Sequence, residues 1–105
     1  MADRISPALW RLYVITDPTA SRGRSHLEVA EAAIAGGADV LQLRDKEAES
    51  GRLFREALAL RALTRDAGIP FLVNDRLDIA LAADADGVHV GQADLPASVV
   101  RRILG

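Results

Sequence analysis

The sequence contains no cysteine, which removes disulfide frameworks and thiolate metal sites together and fits a reducing cytoplasm. Aromatic residues are nearly as scarce, with one Trp, one Tyr and two Phe, so no stacking platform for nucleic acid is available. Long basic runs are missing too. A formal net charge of -2 and a pI near 5.6 give no general attraction to nucleic acid or anionic lipid, so any phosphate recognition has to be local. Residues 1–10 lack the continuous apolar core of a signal peptide, and no later apolar run is long enough to span a bilayer. The expectation is a soluble, cytoplasmic chain.

What is present is a hydrophobic half: 50% of 105 residues, enough for one compact domain over 1–105 with a modest core. Residues 12–17 form an apolar run rich in β-formers that Pro18 closes, which predicts a first strand. Leu27, Ala30, Ala33 and Ile34 fall at helical spacing over 26–35, with Ser25 placed to cap the helix. The glycines of 35–39 turn the chain into Val40-Leu41-Gln42-Leu43-Arg44-Asp45-Lys46, where apolar and polar residues alternate with period two. That stretch predicts a second strand whose end delivers two cations.

Ser50 is placed to cap the next helix, whose stripe of Leu53, Phe54, Ala57, Leu58 and Leu60 runs to Gly68. Its wetter side is assigned to Arg52, Arg55, Glu56, Arg61 and Arg65. A nearly continuous apolar run over 70–75 predicts a third strand covered on both faces, followed by a short helix over 76–83 and a fourth strand over 88–90. Pro96 suits the first turn of a last helix through Val99 and Ile103. Alternating strands and helices in so short a chain imply a parallel sheet with right-handed crossovers, an α/β architecture. An open doubly wound sheet and a (β/α)8 barrel both begin this way, and a full barrel needs eight strands in typically about 250 residues.

In such folds ligands sit at the carboxyl ends of the strands. Polar residues collect there three times: Gln42, Arg44 and Lys46; Asn74 and Asp75; Gln92 and Asp94. Arg44 offers a planar fork for phosphate and Lys46 a mobile point charge. Asp75 and Asp94 are hard oxygen donors that could share a magnesium ion, and together these groups describe a site for a magnesium-bound phosphate or pyrophosphate. Simpler roles stand beside these. Asp75 and Asp94 could each cap a helix, and Asn74 could satisfy turn backbone. His89, between two valines, reads as a packed core histidine, and Gln92 and His26 read as polar surface.

Residues 12–17, 35–46, 73–81 and 87–96 resemble, in order, the motifs of the thiamine phosphate synthase family (thiamine-phosphate pyrophosphorylase), and they cover nearly the whole chain. The resemblance implies a (β/α)8 barrel of which this chain covers about the first four β/α units. It implies a magnesium-dependent transferase of thiamine biosynthesis that joins hydroxymethylpyrimidine diphosphate to a thiazole phosphate and releases pyrophosphate. Carried over by motif, Gln42, Arg44, Lys46 and Asn74 hold the pyrimidine diphosphate, and Asp75 and Asp94 hold Mg2+. No nucleophilic side chain is required. The match stops at Gly105, about halfway round the barrel, so the thiazole phosphate site is expected elsewhere and the isolated chain is expected to be catalytically incomplete. Two alternatives are a non-catalytic half-barrel that serves as a binding module, self-associating through its open face, and a relative of the thiazole tautomerases, a branch that tends to lack the paired aspartates.

Overall fold

The computed structural model describes residues 12–18 and 23–90. Strands and helices alternate: β1 (Tyr13–Thr16), α1 (His26–Ala35), β2 (Val40–Leu43), α2 (Ser50–Ala67), β3 (Phe71–Asn74), α3 (Leu77–Ala82) and β4 (Gly87–His89). Each strand is parallel to the one before it and hydrogen-bonded to it, in the order β1-β2-β3-β4. The helix expected from Pro96, and with it Gln92 and Asp94, lies outside the described residues. Among the described residues no helix is long and apolar enough to cross a membrane.

Local chemistry sets the element ends. Ser25 and Glu28 form a reciprocal capping box, in which Ser25 Oγ accepts from the Glu28 amide at 3.1 Å and Glu28 Oε1 accepts from the Ser25 amide at 3.3 Å. At the far end Gly37, at φ 95°, takes the left-handed turn that leads into β2. α2 closes on Gly68 at φ 73°, where a side chain would be strained.

Two expected caps are not made. Glu49, not Ser50, is the N-cap of α2, without a side-chain bond. Ser50 Oγ instead accepts from Arg76 at 2.7 Å. α3 starts after Arg76, and Asp75 is held at φ 69° rather than in the extended conformation of a capping residue. Nor is the polar side of α2 uniformly wet, since Glu56 and Arg61 are partly buried.

Period two sorts the strand residues onto two faces. Leu41 pairs with Phe71 and Leu43 with Val73, and all four join Ala30, Leu53, Ala57, Leu60, Ile79 and Ala80 in one core under the helices. Ile15, Gln42 and Leu72 lie side by side on the opposite face, as do Asn74 and His89. Tyr13 and Ile15 are exposed on that face, and so is His89, contrary to the expectation that it packs in the core. The reason is register: His89 pairs with Asn74, which puts it on the face the helices do not cover.

Candidate functional site

A cleft of about 500 Å³ opens at the carboxyl ends of β1 and β2, lined by Asp17, Pro18, Arg44, Asp45, Lys46, Glu47 and Arg52. Both expected phosphate cations therefore share one concavity. The backbone of Arg44 is fixed, because its amide donates to the Thr16 carbonyl at 2.9 Å, and its guanidinium donates to Asp17. Lys46 reaches across to Asp75, with Nζ 3.5 Å from Oδ2. Asp75 itself borders a separate depression with Arg76, Leu77, Asp78 and Leu81, and Lys46 links it to the cleft. Arg76 is engaged by Asp78, whose carboxyl is held below its ordinary value chiefly by that hydrogen bond.

Asn74 sits at the end of β3, its carbonyl accepting from the Arg76 amide at 2.7 Å. Gln42, only 2% exposed, donates through Nε2 to the Tyr13 hydroxyl, while its Oε1 is buried with no hydrogen-bond partner among the described residues. A buried acceptor left without a donor costs about 1–3 kcal/mol. Burial raises the Tyr13 hydroxyl above its ordinary pKa, partly offset by the Gln42 bond, so it remains a neutral phenol.

His26 departs most from its expected role. It is 4% exposed and wedged between the two loops, with Nδ1 2.8 Å from Thr16 Oγ1 and Nε2 3.0 Å from Asp45 Oδ2. Asp45, which no simple motif singled out, uses its other oxygen to accept from the amides of Glu47 at 3.1 Å and Ala48 at 3.0 Å. Burial pushes its carboxyl up, but the bonds from His26, Glu47 and Ala48 outweigh that and hold it below the ordinary carboxylate value. The available signal was the Asp at position 45 ahead of two amides two and three residues on, an Asx-turn spacing.

Two sets of residues could hold a metal. His26, Asp45 and Glu56 bring ligand atoms within 4.8 Å of one another, but Arg52 lies 3.2 Å from Asp45 and 3.4 Å from Glu56 and already compensates both carboxylates. Asp75 offers a hard carboxylate beside the cleft, suited to magnesium. Its expected partner Asp94 lies outside the described residues.

Comparisons with known proteins agree with one another. The model of the family described as thiamine monophosphate synthase matches residues 12–105. The thiamine-phosphate synthase of Chloroflexus aurantiacus is 62% identical over 96 residues, covering 91% of this chain and 44% of that protein. That of Methanoculleus marisnigri is 57% identical over 93 residues, covering 89% and 44%. A solved structure, thiamine phosphate pyrophosphorylase from Pyrococcus furiosus, matches with a TM-score of 0.83 at 41% identity, over 90% of this chain and 45% of that one. The chain thus spans a little under half the length of these relatives, and the likeness bears out the expected barrel family with its parallel β/α units.

Proposed function

The chain belongs to the thiamine monophosphate synthase family, and from that premise we propose that it binds hydroxymethylpyrimidine diphosphate in the cleft at the ends of β1 and β2 and serves its joining to a thiazole phosphate. In that reaction the bond from the pyrimidine methylene to the diphosphate oxygen breaks, a bond from the same carbon to the thiazole nitrogen forms, and pyrophosphate leaves. The observation that carries the reading is the pairing of Arg44 and Lys46 in one cleft. Charge grows on the departing diphosphate, and fixed cations stabilise it more in the transition state than before it.

Arg44 would exchange Asp17 for a phosphate oxygen, a swap that costs little because its side chain is 39% exposed and such pairs are worth at most about 1 kcal/mol. Lys46 would follow the phosphate as a mobile charge. Asn74 and Gln42, whose Oε1 has no hydrogen-bond partner among the described residues, would hold the pyrimidine diphosphate. Asp17, Asp45 and Glu47 line the same cleft, so a polyanion entering it meets carboxylates as well as cations. Asp75 and Asp94 would hold Mg2+, which when bound supplies further charge neutralisation of the leaving diphosphate. We place the reaction in the cytoplasm, consistent with the absence of cysteine, and take the 105 residues alone as short of a full catalyst, because both reactants have to be held in near-attack geometry.

Calorimetry of the chain with inorganic pyrophosphate tests the site. Binding is expected with magnesium, to collapse in chelator, and to weaken about tenfold or more in Arg44→Ala, the loss of a charge-assisted bidentate contact. Equal binding with and without chelator would return Asp75 and Asp94 to structural roles.

A further inference from the structure

The geometry points to His26 as a positioning residue that fixes, through Asp45, the loop on which Arg44 and Lys46 are carried. Its value to binding rests on the diphosphate reading above. Three observations support it. First, an imidazole so fully buried is costly unless its nitrogens are satisfied, and a hydrophobic residue would fill the same space without that cost. Packing alone therefore does not explain a histidine here.

Second, every partner of the ring belongs to an element that shapes the cleft from behind. Nδ1 meets Thr16, the last residue of β1, whose carbonyl also receives the Arg44 amide. Nε2 faces Asp45 Oδ2 and, at 3.4 Å, Glu56 Oε2 of α2, so it carries its hydrogen toward two carboxylates. The two loops that line the cleft are thus joined twice, by Asp17 and Arg44 in front and by His26 and Asp45 behind.

Third, Asp45 sits between the two cations and both of its oxygens are committed. Oδ2 accepts from His26 and Arg52, and Oδ1 from the Glu47 and Ala48 amides, with the side chain 5% exposed. Anchoring Asp45 inward limits the backbone freedom of its neighbours on either side. Lys46, with its side chain half exposed, has a long flexible stem that is steadied at its tip by Asp75 at 3.5 Å, so the backbone beneath it sets where the charge can reach.

Hydrogen exchange resolved at single amides tests this without a ligand. In His26→Leu the Glu47 and Ala48 amides should exchange about tenfold faster, as expected for weakening an acceptor held by a charge-assisted bond, while β3 amides stay protected. Affinity for magnesium pyrophosphate should fall by a similar factor, and His26→Gln, which keeps an N–H for Asp45, should recover part of both. A purely structural role would lower global stability and leave loop exchange and affinity alone at temperatures where the protein is folded.

Unchanged exchange at residues 47 and 48 in folded His26→Leu overturns the proposal. Should that variant not fold, Asp45→Asn reads the same bond from its other end. Whichever way the neutral amide turns, an N–H faces donors, Arg52 on one side or the Glu47 and Ala48 amides on the other, and the charge-assisted bond to His26 is lost, so faster exchange is expected and unchanged exchange overturns the proposal. If the wild-type chain fails to bind magnesium pyrophosphate, the diphosphate reading falls while the exchange result still decides the role of His26.

Discussion

On the helix-covered face of the sheet Leu41, Leu43, Phe71 and Val73 are at most 1% exposed, whereas one register step away Ile15 is 47% exposed, Leu72 half-buried and His89 exposed. The first face is apolar except for Thr16, whose hydroxyl meets the His26 ring at 2.8 Å, because any polar atom left without a partner there would be stranded between sheet and helices. The second mixes Tyr13, Gln42 and Asn74 with aliphatic residues, and its carboxyl end leads into the cations. Stability and recognition are therefore carried by alternate residues of the same strands, which lets one vary with little cost to the other.

The largest expected effect breaks the first face. Phe71→Ala should cost about 3–5 kcal/mol in denaturant unfolding, from lost burial plus the cavity left behind, while Leu72→Ala next to it should cost nearer 1 kcal/mol. Equal losses would mean that the two faces are equally committed to the core. A smaller effect sharpens the contrast at the strand ends. Because the Asp45 carboxyl is held below its ordinary value in the folded state, its contribution is present above that value and is lost as pH falls through the folded one. Asp45→Asn should therefore flatten the acid limb of the stability curve, followed by circular dichroism, while lowering the neutral plateau. The smallest effect concerns His89, whose exposure predicts a change within about 0.5 kcal/mol for His89→Ala. A loss of several kcal/mol would restore it to the core.

The alternation of strand and helix was legible because each element announces itself locally: apolar runs at 12–17 and 70–75, and Ser25 placed to cap an alanine-rich stripe. So was the cleft's positive half, since Arg44 and Lys46 follow an alternating strand directly. His26 was not legible. A lone polar residue in the first turn of a helix reads as surface, and its partner Asp45 is 19 residues away, brought to it only when β1 and β2 pair. His89 failed for a related reason, because flanking valines say that a residue is in a strand but not which face of the sheet its register selects. Asp75 looked like a cap because carboxylates favour that position, but its left-handed backbone and its contact with Lys46 turn it to another use.

The sequential order of the strands bears on how the chain reaches this state. β2, β3 and β4 each pair with the strand synthesised just before, so none of these three waits for a partner that has yet to be made. Loop closure at every step spans a single helix, which keeps the entropic cost of pairing low for a parallel sheet. On the ribosome, where residues emerge at roughly 5–20 per second, β1 and β2 can dock across α1 before β3 has left the exit tunnel, and the sheet then grows at one edge only. A nascent chain built this way exposes a single growing edge at a time, and arrest at successive lengths should show protection arriving strand by strand.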